Sequence, residues 1–406
     1  GGFKAVQLTE GKELNAKGTL VLNGSAEGGN LVQYKDGETN KVASLRIGGQ
    51  NSNATSVVTL GDANAANKGT LGNVILNAGD NNAATLNVVG NGKAEFTIGN
   101  VTANLSQNTV NVAGATLNTG DITVDAGSNT YKDIDLNVTN GTVNSKNAEI
   151  ANATVTNGAV NARGDLTVTN AKLANGALTA AVVPAAAEGQ QATGGDITIN
   201  NKLSGQGSVV AAKTLTLTAG YTGAADSADV LTLQAGENIT AADQNLKQAA
   251  GGKLTLRAQQ GTINAANISA TTVAAKKLTA SGDVAVDGGE LTLTGTGTAT
   301  GEASTVKSLT LTNGTQADIA GSLQLNPGGT ITVGTGDDKV GGTTLSAKHI
   351  DLKGGTLLVD PAWELDSSNV AVESMGTPTT PPTTPTADVI VNGSVGVGRN
   401  SYLALG

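Results

Sequence analysis

The chain has no cysteine, one histidine, one tryptophan and seven prolines in 406 residues. Without cysteine there are no disulfides, thiolate metal sites or thiol nucleophiles. With one imidazole, a metal centre would have to be built from carboxylates. The aromatic residues are Phe3, Phe96, Trp363, Tyr34, Tyr131, Tyr221 and Tyr402. A deep globular core draws on many such side chains, each burying about 150–250 Å², so a thin core repeated many times is expected. Charge is sparse, with 24 basic against 33 acidic groups and a net of −9. That sign opposes binding to a polyanion, and nucleic acid is not an expected partner. No apolar run reaches the length of a membrane-spanning helix. Gly1, Gly2, Phe3 and Lys4 lack the basic and apolar parts of an export leader, so the chain reads as a processed or trimmed segment of a longer one.

What is abundant is small. Ala (58), Gly (56), Thr (55) and Asn (40) make up over half of the chain. Glycine at about twice its usual share of ~7%, with so few prolines, excludes collagen and Pro-rich disorder. Short alternating segments recur from about residue 20 to residue 359, among them Leu215-Thr-Leu217, Leu231-Thr-Leu233, Leu291-Thr-Leu293, Leu309-Thr-Leu311 and Ile331-Thr-Val333. Each sets two aliphatics on one side and a polar residue on the other, the period of a half-buried strand. Asn140-Gly141, Asn157-Gly158, Asn175-Gly176, Asp287-Gly288 and Asn313-Gly314 punctuate them with positions where φ > 0 is accessible. The strands return at irregular steps of roughly twenty residues, the range of a solenoid. A sandwich or barrel also has many short strands, but its core calls for more aromatics. The expected fold is therefore all-β, a single-stranded parallel β-helix, right-handed by expectation. In it Ala stacks on Ala and Val on Val about 4.8 Å apart.

The organisation follows. Residues 1–376 read as the β-helical shaft, with excursions near 183–195, 221–229 and 240–250. The last, from Thr240 to Ala250, has an N-cap candidate and good helix formers, and predicts a short helix. Residues 377–386 are a Pro- and Thr-rich linker. Strand text resumes over 387–406, the expected start of a further C-terminal part.

Few residues offer chemistry. His349, beside Lys348, has no second histidine and reads as a strand-edge residue, not as part of a Ser-His-Asp device. Asp133 with Asp135, Asp337 with Asp338 and Glu364 with Asp366 are the carboxylate pairs available to a β-helical polysaccharide lyase or glycosidase, but aromatic sugar platforms are scarce. Gly334 to Gly342 resembles a calcium-binding nonapeptide only faintly, and reads better as an acidic turn. No cofactor or metal is expected. Thr-x-Thr triplets are more numerous. If Leu and Ile point inward, Thr292, Thr294, Thr310, Thr312, Thr330 and Thr332 point outward on one face, as a polar binding stripe. A regular Thr array can also bind ice, and irregular spacing argues against that here.

Gly195-Asp-Ile-Thr-Ile199, Lys213-Thr-Leu-Thr-Leu-Thr-Ala219, Gly252-Lys-Leu-Thr-Leu-Arg257 and Gly329-Thr-Ile-Thr-Val333 resemble the passenger domains of bacterial autotransporter adhesins and, less closely, filamentous-haemagglutinin-type exoproteins. The resemblance is one of texture across most of the chain. It implies a right-handed β-helix, export from a Gram-negative bacterium, and an extracellular place at the cell surface or in the medium. It also implies membrane attachment only through a C-terminal β-barrel that lies outside this sequence. The expected function is a non-enzymatic adhesin or self-associating stalk. Its partners would be other copies of itself or ligands on host or bacterial surfaces. The alternatives are a polysaccharide-degrading enzyme and a structural component of a surface layer or filament.

Overall fold

The computed structural model describes residues 15–22, 30–31, 41–48, 56–77, 83–124, 132–181, 194–297, 299, 301–334, 342–359, 363–365, 371–373, 387–396 and 402–405. The chain divides into two compact units, Gly1–Ala212 and Lys213–Gly406. Among the described residues there is no helix, so the chain is all-β as its alternation predicts. The strands pair in parallel, except that Trp363–Leu365 meets Ala371–Glu373 antiparallel.

In the first unit each strand segment pairs with the segment one rung later. One buried column runs through Val74, Val101, Ile122, Ala148, Leu166 and Ile197. A second contains Leu86, Val110, Leu136, Ala153, Ala171 and Leu203. The third contains Phe96, Leu117, Val143, Val160, Leu178 and Val209. Each rung contributes one residue to every column, and burying each Val, Leu or Ile side chain stabilises by roughly 1.5–3 kcal/mol. Stability therefore accumulates rung by rung from side chains of modest size, which is why the chain manages with so few aromatics. Phe96 is the largest fully buried side chain. The rungs of this unit take from 17 residues, Val143 to Val160, to 32, Ala171 to Leu203, because corners and bulges vary in length between the paired segments.

The second unit repeats the arrangement. Leu246, Ile268, Val284, Leu309, Ile331 and Leu357 are successive partners, and so are Leu256, Val273, Leu291, Ala317 and Leu345. The helix expected over residues 240–250 does not form. Ile239–Thr240 and Leu246–Lys247 are strands instead, Leu246 sits in register with both Tyr221 and Ile268, and Ala242 takes a φ of 45°. Intrinsic helix propensity amounts to tenths of a kcal/mol per residue, less than the burial of Ile239, Ala241, Leu246 and Ala249 gained by the rung. The excursion expected at 221–229 opens with the strand Tyr221–Thr222, whose tyrosine is buried. Of the 183–195 excursion only Gly194 and Gly195 are described, and the linker 377–386 lies outside the described residues. Ala387–Gly396 pairs with Thr343–Asp351.

Candidate functional site

Asparagine dominates the outside of the first unit, in two roles. At one corner of the rung its side chain sets the register. Asn73 Oδ1 accepts the Asn100 backbone N–H at 2.9 Å, and Asn100 Oδ1 accepts that of Asp121 at 2.9 Å. Asn147 then donates its amide to Asp121 Oδ1 at 2.8 Å and accepts the Asp165 N–H at 2.9 Å. Where the residue before this corner faces an asparagine of the previous rung, it must be small. A Cβ on Gly99 would lie 2.4 Å from Asn73 Oδ1, and one on Gly120 would lie 2.2 Å from Asn100 Oδ1.

Elsewhere asparagine faces outward and bonds to its counterpart one rung away. Asn137 donates to Asn111, Asn111 to Asn87 and Asn87 to the Thr59 hydroxyl, at 2.9, 2.9 and 3.3 Å. Asn201 donates to Asn170, Asn170 to Asn152 and Asn152 to the Asp135 carboxylate, at 2.8, 2.8 and 2.6 Å. In the third ladder the Thr179 hydroxyl donates to Asn161, Asn161 to Asn144, Asn144 to Asn118 and Asn118 to Glu95 Oε1, at 2.7, 3.0, 2.9 and 2.9 Å. Every link runs toward the lower-numbered rung. An interior asparagine uses one N–H and one lone pair in its ladder, and the amide has a second of each.

The third ladder floors a groove of about 570 Å³ lined by Thr97, Gly99, Asn118, Gly120, Asn144 and Arg163 among others. Its depth comes from the corner column: glycine stands at 99 and 120, followed by the long side chains of Lys146 and Arg163. Arg163 is the one ionisable residue in the lining, and Lys146 leans toward Asp121 at 3.9 Å. The second unit has a smaller hollow of about 340 Å³ at the corresponding step of its own rung, lined by Asp243, Asn264, Thr279, Ser281, Thr305 and Asn326. The half-buried outward column beside it reads Thr216, Thr240, Asn264, Thr279, Thr305 and Gln324, six uncharged residues before Asp351, which pairs with Lys353 at 3.1 Å.

The threonines singled out from the sequence do not share a face. Thr310 and Thr332 are direct partners, Thr330 pairs with Thr356, and Thr312 donates its hydroxyl to Asp287 Oδ1 at 2.8 Å. Thr292, however, stands between Ala274 and Asp318 in a different column, and Thr294 follows it with its N–H on the Ala275 carbonyl at 2.9 Å. The strand Asp283–Leu293 turns at Gly288, whose φ is 64°. Its first half pairs with Ser308–Thr312 and its second with Gln316–Leu325, so one unbroken run of text serves two faces. The polar column through Thr279 and Thr305 leaves no run in the sequence for the same reason. The asparagine ladders left a signal in the composition, since 30 of the 40 asparagines fall within the first 200 residues.

The other candidates are dispersed. Asp135 is the end acceptor of a ladder. Asp337, Asp338 and Asp366 lie outside the described residues, and Glu364 is in the antiparallel strand Trp363–Leu365. His349 is half-buried in register with Ser322 and Ser394. Among the described residues no group of three or more metal-ligating side chains forms, and no helix is long and apolar enough to cross a membrane. The group with a displaced pKa is Tyr221, whose hydroxyl is pushed above its ordinary value by burial and further by the Asp229 charge.

No family model, curated protein or solved structure matches the chain.

Proposed function

We propose that the chain is a right-handed parallel β-helix of the autotransporter-passenger kind, exposed outside a Gram-negative cell, and that it acts as an adhesive or self-associating surface. The observation that carries this reading is the pair of uncharged outward columns: Thr97, Asn118, Asn144, Asn161 and Thr179 in the first unit, and Thr216 to Gln324 in the second. Spaced by the strand separation of about 4.8 Å, they offer donors and acceptors in equal supply. Such a column can meet another copy of itself, or a polar surface on a host or neighbouring cell, mainly through neutral donors and acceptors, with Arg163 and Asp243 as the charged residues at its edges. Single contacts are weak, and affinity would come from their number. The parallel rungs, variable corners and small interior support the β-helical reading, and the resemblance to autotransporter passengers supports the placement outside the cell.

Sedimentation of cells displaying the chain tests the proposal. A variant carrying Thr97→Lys, Asn144→Lys and Thr179→Lys sets charge on alternate rungs, about 9.6 Å apart, so that the lysines stand clear of each other within one copy while two such faces repel. The variant is expected to stay dispersed under conditions in which the parent settles or binds. Equal settling, with display and thermal unfolding matched, would remove this face from the function.

A further inference from the structure

We propose that Asn91 is a site of spontaneous deamidation in the folded protein, and that the Asn-Gly pairs at 140, 157, 175 and 313 are shielded from the same reaction by their backbone conformation. All five have glycine next, the residue that least obstructs its own nitrogen. In the reaction the glycine nitrogen loses its proton and attacks asparagine Cγ. The Cγ–Nδ2 bond then breaks, ammonia leaves, and water opens the resulting succinimide to aspartate or isoaspartate. Everything depends on whether that nitrogen can reach Cγ.

At four sites it cannot. Asn140, Asn157, Asn175 and Asn313 have φ of 50°, 47°, 54° and 54°. In this left-handed region the Cα–C bond carries the following nitrogen to the side opposite Cβ. The corners are also tied down. Asn140 and Asn157 donate their backbone N–H to Thr156 and Ala174, both at 2.9 Å. The Asn175 amide reaches Asn157 Oδ1 at 3.4 Å, and that of Asn313 reaches Asp287 Oδ1 at 2.5 Å. Rotation into a reactive shape means opening the corner.

Asn91 is also held, by its N–H on the Ala65 carbonyl at 3.1 Å and its side-chain amide on the Asn64 carbonyl at 3.5 Å, but it differs in backbone conformation and surroundings. It is not among the residues with positive φ. It lies in a wide corner, residues 90–93, standing opposite the single Gly114 between the pairs Val89 with Ala113 and Ala94 with Ala115. Its Oδ1 accepts the Lys93 backbone N–H at 3.2 Å, so the side chain already lies on the same side as the Gly92–Lys93 backbone. Asn91, Gly92 and Lys93 are exposed, so water has access. A Cβ on Gly92 would meet nothing within 4 Å, which leaves the approach open. Reaction replaces a neutral amide by a carboxylate. The isoaspartate product also lengthens the main chain beside the Asn91 N–H bond to the Ala65 carbonyl, 3.1 Å long in the parent.

The test is peptide mapping by mass spectrometry after incubating the folded chain, and the same chain in concentrated urea, in mildly alkaline buffer. In the folded chain, aspartate and isoaspartate at position 91 are expected to accumulate at least about tenfold faster than at 140, 157, 175 or 313, a ratio equivalent to ~1.4 kcal/mol in barrier. In urea the five rates should converge. Modification at any of the four shielded sites as fast as at Asn91 in the folded chain would overturn the proposal, as would an Asn91 that reacts in urea and is inert when folded.

Discussion

Asn144 donates its side-chain amide to Asn118 at 2.9 Å across one rung, and both side chains are half-buried on an outer face. An amide in that position links rungs to each other and also presents polar groups outward, so mutations there have structural as well as surface effects.

Asn144→Ala removes two links, the bond it donates to Asn118 and the bond it accepts from Asn161. At a net 0.5–1.5 kcal/mol each, the loss should be about 1–3 kcal/mol, toward the lower end because water replaces part of it. Asn144→Asp keeps the acceptor and loses the donor, so at neutral pH it should be at least as damaging. In acid its protonated carboxyl can donate to Asn118 again. Urea midpoints of the three proteins at neutral and acidic pH check both statements.

Gly120→Ala should cost more than an ordinary surface substitution, because the new methyl would stand 2.2 Å from Asn100 Oδ1 and displace the bond from the Asp121 N–H. Overpacking of about 1–3 kcal/mol is expected, with loss of amide protection at Asp121 in hydrogen exchange. A change below about 0.5 kcal/mol, the usual range of surface sites, would show that the corner yields easily.

Ser145 is fully buried opposite Ala162, and its hydroxyl has no hydrogen-bond partner among the described residues. Ser145→Ala should therefore stabilise the protein, recovering part of the ~1–3 kcal/mol that an unsatisfied buried group costs. A lower urea midpoint would contradict this.

Tyr221 sets an alkaline limit. Its pKa is raised by burial and by Asp229, so the folded chain holds this proton more tightly than the unfolded chain, whose tyrosine titrates near 10.0. The associated stability is complete below that value and is lost as pH rises toward the folded pKa. Tyr221→Phe should flatten the alkaline fall in the urea midpoint, and Asp229→Asn should move tyrosinate absorbance at this site to lower pH.

The alternation of Leu-Thr-Leu text was enough to place the buried columns, because period two admits only one inward side per strand. Leu291, Leu309 and Ile331 are all buried, as their spacing predicts. Which outward residues become neighbours was not legible, since that depends on where a strand turns. Gly288 separates Thr292 from Thr310 although both lie in near-identical runs. Local propensity misled at Thr240 to Ala250, where a helical composition is overridden by partners on the rungs before and after it. In the Asn-Gly dipeptides asparagine reads as a turn former. Its concentration in the first half of the chain points further, to ladders on open faces.

The corner linkage of Asn73, Asn100, Asp121, Asn147 and Asp165 also governs how this chain can tolerate insertions and deletions. Each such residue re-indexes the rung at its first strand, so residues gained or lost at a corner are absorbed before the next paired segment begins. The same change inside a strand reverses the parity of every side chain after it and turns the aliphatics outward. Length variation from 15 residues per rung, Ile263 to Leu278, to 46, Leu357 to Leu403, is thus compatible with unbroken columns, and new surface loops can be added at corners without redesigning the interior.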